Sequence, residues 1–396
     1  MKDLTNLKTF IIDSDDPKEI DDAVSLDHIN GEAKGIWIHL SYPVKLFEQN
    51  SEIDKEARKK SASLYLINDY SSMLPKHIID KANLNRNKIS ESISAYIEFN
   101  DNGSIKDYKV METLIKPNYE LTYEEANELI DLEPKEEFEL IIINNLLKKS
   151  IEYRKTKGAI MFNNSYPKIQ LKSGKVTIEK VEITEAHKLI SESMILMGFV
   201  ISDYFIKNKI VAPFRSQKIN CDINELLKRN SNRDIGYIFL KQYIGKSYIT
   251  TKSNKHETLG LKSYIQSTSP LRRYLDLVVQ RQIYLHLNNK VLMKDDEINK
   301  IIDYSNLRQK ELNNIIKEDK LIYLRMFFNN NVNTDNYKII FIRWVNNKKN
   351  IALVYFPEYY LEILVNLYIS IDTYPNKIYK VKYNCNDSSN LLEFIN

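Results

Sequence analysis

The hydrophobic period changes part-way along this chain, and that change limits the folds open to it. Over the first hundred residues apolar and polar side chains alternate; from Tyr123 onward apolar residues recur at helical spacing. Alternation builds half-buried strands and helical recurrence builds amphipathic helices, so the pattern predicts an α+β fold.

Individual elements follow. Lys8 to Ile12 reads as a short apolar strand, Asp22 to Leu26 alternates strictly, and Gly35 to Leu40 returns after the hairpin dipeptide Asn30-Gly31. Ser94 to Phe99 and Tyr108 to Val110 flank a second hairpin signal at Asn102-Gly103. Glu56 to Leu66 and Met73 to Asp80 read as helices between the hairpins. Helices are predicted over Tyr123 to Leu132, Glu137 to Thr156, His187 to Ile206, Pro270 to Leu287 and Glu297 to Phe328. A strand pair brackets Gly174. Asn329 to Asn336 is the best linker candidate, and the alternation over Tyr337 to Trp344, Ile351 to Tyr355 and Tyr379 to Tyr383 predicts a small β-barrel.

Composition removes several classes. With 396 residues the chain is long enough for two or three domains, and 43% hydrophobic residues supply a sizeable core. Only Cys221 and Cys385 are present, without metal-ligand spacing, so neither a zinc site nor a disulfide framework is expected. Met1 to Phe10 holds no apolar signal region, and no run long enough to span a bilayer is apparent. A reduced, cytoplasmic protein is therefore expected, with monomer as the default.

The strongest chemical feature is Asp13-Ser14-Asp15-Asp16-Pro17-Lys18-Glu19-Ile20-Asp21-Asp22, six carboxylates in ten residues between two strands. Carboxylates ~4 Å apart repel by about 4 kcal/mol at an effective dielectric near 20, so such a group takes up protons, binds a cation or turns into solvent. An all-oxygen set suits Mg²⁺ or Mn²⁺. A calcium loop of the EF-hand type fails, because counting from Asp13 puts Pro17 and Lys18 where an acid and a glycine are needed. Carboxylate-held metal ions suit phosphodiester cleavage. The residues alone leave open a solvated acidic turn.

Net charge is only +4, yet it is unevenly divided. Phe205 to Arg273 holds fourteen Lys and Arg against four acids, interleaved with Phe214, Tyr237, Phe239, Tyr243, Tyr248 and Tyr264. A solvated face explains the charges as well as a nucleic-acid channel does; the aromatic residues are what a channel with stacked bases requires.

Ile12-Asp13 and Glu19-Ile20-Asp21-Asp22-Ala23 resemble the catalytic stretch of the ribonuclease II family of 3′-to-5′ exoribonucleases. Further matches fall in that family's order. Tyr65 precedes Met73-Leu74-Pro75, Thr122-Tyr123 precedes an acidic helix, and Gly158-Ala159-Ile160-Met161-Phe162 follows. Then come Ser191-Glu192-Ser193-Met194-Ile195, Tyr264, and the most specific block, Thr268-Ser269-Pro270-Leu271-Arg272-Arg273-Tyr274 with Asp276. The resemblance covers Phe10 to about Phe328. It implies a catalytic domain of the RNB type over 1–330, a mixed β-sheet with surrounding helices, and a diverged OB-like RNA-binding barrel over 335–396.

It also implies roles. Asp13, Glu19, Asp21 and Asp22 would hold Mg²⁺, with Mn²⁺ a substitute, and Arg272 would act with them in catalysis. Tyr65, Phe162, Tyr123, Glu192 and Arg273 would contact single-stranded RNA, which would be degraded processively to nucleoside 5′-monophosphates. The residue-level alternatives are ordinary: core packing for Tyr65 and Phe162, a surface charge for Glu192, a surface ion pair for Arg272. Pro270 at a helix start makes Ser269 its expected N-cap, near which a guanidinium could grip two phosphate oxygens. The six histidines share no spacing and read as structural.

Two departures from the family pattern matter. Glu19 stands where an Asp is usual, and the chain begins almost at the catalytic strand, without the cold-shock-type domains of larger relatives. Neither Glu311 nor Glu318 fits a late glutamate of the family. These departures support a rival expectation, a catalytically silent RNA-binding scaffold of the same fold. A nuclease for single-stranded DNA is a further rival, separated by the 2′-OH that only RNA offers.

Overall fold

A computed structural model describes residues 1–29, 32–161, 165–220, 240–331, 336–369, 374–375, 377–384 and 391–395. Asn30-Gly31, Phe162, Tyr237, Phe239 and both cysteines lie outside these described residues.

The first part is built on a seven-stranded sheet of order β1-β8-β7-β4-β3-β2-β9. Its strands are β1 (Lys2–Asp3), β2 (Thr9–Asp13), β3 (Asp22–Ile29), β4 (Glu32–Ser41), β7 (Ser90–Phe99), β8 (Ile105–Ile115) and β9 (Tyr119–Thr122). The edge strands β1 and β9 pair in parallel and the interior pairs are antiparallel, so the sheet is mixed. Alternation sorts the side chains by face. Phe10, Val24, Ile36, Ile38 and Leu40 enter the large core shared with the helices, whereas Ile11, Ala23 and Trp37 close a smaller cluster on the other face.

The helices are α1 (Glu52–Lys60), α2 (Lys76–Ala82), α3 (Tyr123–Leu132), α4 (Phe138–Thr156), α5 (Glu185–Lys207), α6 (Tyr274–Leu287) and α7 (Asp295–Asn330). Of these, α5 is long and apolar enough to span a membrane, a property missed in the sequence, but most of it is packed inside the protein. Its Leu196, Met197, Val200 and Ile201 all belong to the large core.

Three expected helices are corrected. The one placed over Glu56 to Leu66 is α1, which starts earlier and stops where Ser61 takes a φ of 63°. Ser51 caps its start, and the chain then enters a ribbon of β5 (Leu64–Tyr65) and β6 (Tyr70–Ser71). The helix placed at Met73 begins only after Pro75, because a residue before proline is driven out of the helical region. The helix placed at Pro270 begins at Tyr274, and Ser269 is not its N-cap. The N–H of Ser269 bonds Asp276 at 2.9 Å and that of Leu271 bonds Asp21 at 3.0 Å, so Ser269 to Arg273 forms a turn whose donors are already engaged.

The ribbon around Gly174 is β10 (Tyr166–Lys172) with β11 (Lys175–Val181), and β12 (Phe214–Ser216) pairs with β13 (Tyr248–Thr250). The C-terminal strands β14 (Tyr337–Asn346), β15 (Ile351–Phe356), β16 (Leu361–Tyr368), β17 (Ile378–Asn384) and β18 (Leu392–Ile395) close a barrel of order β14-β15-β16-β18-β17. Its core includes Leu324 and Phe328 from the end of α7, with the Phe328 ring 5.3 Å from Phe394 and 5.7 Å from Phe356. One helix thus roots the barrel and runs back along the first part.

Candidate active site

The acidic loop joins β2 to β3, so Asp13 ends one strand and Asp22 opens its neighbour. The loop is pinned from below: the N–H of Ile20 bonds the Asn83 side chain at 3.0 Å, and the Ile20 side chain is buried. This pinning turns part of the loop inward. Asp15 and Asp16 stay in solvent, Asp16 paired with Lys18 at 2.5 Å, and take no part in the site.

Asp21 is 2% exposed. Its carboxylate accepts from Ser41 Oγ at 3.1 Å, from the Leu271 N–H at 3.0 Å and from Arg272 Nε at 3.3 Å. Burial nonetheless pushes Asp21 up to about 7; Arg272 opposes this, while Asp22 and Glu19 add to it. Asp22 is likewise pushed up to about 7, by burial and then by the neighbouring Asp13 charge, against Arg272 and Arg273. Burial raises Asp13 too, moderated by the Ser14 N–H at 2.7 Å.

Glu19 is drawn to one side. It is 5% exposed and accepts from Ser63 Oγ at 2.8 Å and from the Tyr65 hydroxyl. Tyr65 therefore has one end on the acidic knot and a ring 40% exposed, and its ionisation is pushed up by burial and by Glu19. Its ribbon is fastened to α7, because the N–H of Ile67 bonds Asp319 Oδ2 at 2.9 Å. Tyr123 arrives from the opposite side. Thr122 pairs with Asp13 across β9 and β2 and caps α3, leaving Tyr123 stacked on His187 at 3.9 Å, near the Asp13 and Asp22 charges.

Arg272 reaches this cluster from 250 residues away in sequence, its side chain 45% exposed above the nearly closed-off Asp21. Arg273 is held in its own turn, by Asp276 at 2.9 Å and Ser269 Oγ at 2.9 Å. Glu192 is not a surface charge: it is 1% exposed and accepts from Arg154 Nε at 2.9 Å and from Ser150 Oγ at 2.8 Å, as an internal ion-pair partner. Phe214 is buried and Tyr264 half-buried, whereas Tyr243 and Tyr248 are exposed. Ser41, Ser63 and the Leu271 N–H went unnoticed in the sequence, where a serine between apolar residues and a backbone donor carry no signal.

Hydrogen bonds engage Glu19 and Asp21, and among the described residues no group of three His, Cys, Asp or Glu side chains is already gathered around a common point. The chemistry of the donors still fits a hard divalent cation: they are oxygens only, and the buried Asp21 and half-buried Asp22 have raised proton affinity.

A buried run of carboxylates, met by an arginine from a distant Ser-Pro-Leu-Arg-Arg-Tyr turn, is the arrangement that the sequence blocks share with a known family, and residues 1–289 match the RNB domain. The chain belongs to the RNB family. Similar proteins include an uncharacterized ribonuclease of Synechocystis, 29% identical over 91% of this chain and 55% of its own length. Among solved structures, an active-site mutant of the Dss1 exoribonuclease from Candida glabrata superposes with a TM-score of 0.87 at 20% identity, over 100% of this chain and 55% of the other. Mycoplasma genitalium RNase R in complex with ribose-methylated single-stranded RNA gives 0.82 at 20% identity, over 96% and 68%. These structures share the fold of this chain. The chain spans about half the length of the curated relatives it matches.

Proposed function

We propose that this RNB-family protein is a Mg²⁺-dependent 3′-to-5′ exoribonuclease that degrades single-stranded RNA processively to nucleoside 5′-monophosphates. The observation that carries the reading is the bond between Arg272 and Asp21, which seats a half-exposed guanidinium beside Asp13 and Asp22. The names of the curated relatives and the RNA held by the Mycoplasma enzyme support RNA as the substrate.

In this reading Asp13, Asp21 and Asp22 hold the cation, and Glu19 joins them by exchanging its hydrogen bonds to Ser63 and Tyr65. Bound there, a divalent cation supplies charge neutralisation for the phosphodiester and activation of water. Arg272 offers its remaining donors to the phosphate oxygens and stabilises the charge that develops there. Tyr65, with its hydroxyl on Glu19, sets the terminal nucleotide against the acids, and Phe162 and Tyr123 are assigned to the neighbouring bases. Stacking on each ring contributes roughly 1–3 kcal/mol per base.

The test uses single-stranded RNA labelled at either end, incubated with Mg²⁺ and then with a chelator. Release of 3′-terminal mononucleotides, abolished by chelation, is the expected result. A shifted RNA band without products would establish the silent scaffold instead.

A further inference from the structure

Tyr70 stands opposite Tyr65 across the β5–β6 ribbon, with the two ring centroids 5.1 Å apart and the planes tilted by 44°. Their hydroxyls differ. That of Tyr65 donates to Glu19. That of Tyr70 is shut off from solvent and makes no hydrogen bond with any described residue. A buried hydroxyl without a partner costs free energy, and native structures keep few of them.

The surroundings point to the missing partner. Burial pushes the ionisation of Tyr70 up and the Glu19 carboxylate pushes it further, with Ser63 opposing and Asp21 adding a smaller rise. The hydroxyl is therefore within range of two carboxylates that must draw together around a cation. Its ring has little freedom to turn elsewhere. The Asp319 carboxylate holds the ribbon at the Ile67 N–H, and the Ser63 N–H donates to the Arg272 carbonyl at 3.0 Å. Glu19 is held differently. Both of its oxygens accept from side-chain hydroxyls, Ser63 Oγ at 2.8 Å and Tyr65, and these bonds are the ones it exchanges on joining Asp13, Asp21 and Asp22.

We propose that Tyr70 is a positioning residue for Glu19: its hydroxyl is idle in the metal-free protein and donates to Glu19 once that carboxylate has joined the cation site. The inference rests on the metal-dependent reading above. It gives two tyrosines of one ribbon opposed effects, Tyr65 holding Glu19 back and Tyr70 holding it in place.

The test is Mn²⁺ binding by the full chain without RNA, read from the electron paramagnetic resonance of the free ion, beside thermal melts in chelator. The variants Tyr70→Phe and Tyr65→Phe remove only a hydroxyl. Tyr70→Phe should weaken Mn²⁺ binding about tenfold, the worth of one hydrogen bond to a charged group. Its melting temperature in chelator should not fall, because the hydroxyl removed has no partner there. The Mg²⁺ concentration for half-maximal RNA cleavage should rise by a similar factor. Tyr65→Phe should instead tighten Mn²⁺ binding, since it removes a bond that Glu19 must give up. Wild-type Mn²⁺ affinity in Tyr70→Phe would overturn the role of Tyr70 alone. So would a lower melting temperature in chelator, which would mean that the hydroxyl is already bonded in the free protein. Equal weakening by both variants would make the tyrosines plain supports and reject the proposal. A wild-type chain that takes up no Mn²⁺ would overturn the metal-dependent reading, and this inference with it.

Discussion

Asp21 and Asp22 owe their behaviour to burial, and that gives the metal-free protein a defined pH dependence. In the fold both hold a proton up to about 7, against 3.8 in the unfolded chain. Between those values the folded state binds more protons, so stability falls as pH rises from about 4 through 7. Thermal melts in chelator should show a lower midpoint at pH 8 than at pH 5, and added Mn²⁺ should raise the pH 8 midpoint most. A midpoint that rises with pH in chelator would contradict the buried placement. Arg272 makes a second residue-scale case. Its Nε is committed to Asp21, so under the proposed function only the remaining edge of the guanidinium is left for the phosphate. Arg272→Lys keeps the charge but loses the planar fork, and kcat should drop roughly a hundredfold, as when one transition-state donor is removed. Steady-state kinetics would check this; unchanged kcat would show that only charge matters. The carboxylates and Arg272 were legible in the sequence because acids and arginine announce charge and fall in motif order. The ion pair of Glu192 was not legible, because a glutamate on an apolar helix looks the same whether its partner is solvent or a buried Arg154.

The ribbon of β5 and β6 shows how an element can be hidden from local pattern. Leu64, Tyr65 and Leu66 continue the apolar spacing of α1, yet Ser61 turns the chain and Asp319 of α7 fixes the ribbon tip from far away in sequence. Tyr65 therefore depends on α7 for its position. Asp319→Ala should cost about 1 kcal/mol of ribbon order and raise KM for RNA roughly fivefold with little change in kcat. Asp319→Asn retains an acceptor oxygen and should restore the wild-type KM. Equal kcat and KM for all three proteins would remove Asp319 from this role. Long periodic elements such as α3, α4 and α7 were visible from spacing alone. Short or edge strands such as β9 and β18 were not, since their partners are set by tertiary pairing.

Over the whole molecule, α7 connects the two cores. Three barrel strands were readable as alternation, but β16 is an almost unbroken apolar run and its parallel partner β18 has four residues. What the sequence could not show is that Phe328 belongs to the barrel and not to the helical part. Phe328→Ala should cost about 3–5 kcal/mol, as large aromatic truncations in cores do. Calorimetry should show the loss in unfolding of the barrel; a wild-type profile would place Phe328 outside its core. The central claim, that the carboxylates around Arg272 cleave RNA from its 3′ end, is tested most directly with 5′-labelled single-stranded RNA and Mg²⁺, comparing the wild type with Asp22→Asn. The wild type should shorten the label stepwise from the 3′ end, and the variant should bind the RNA as tightly or more tightly while releasing no mononucleotide. Turnover by Asp22→Asn at the wild-type rate would contradict the account.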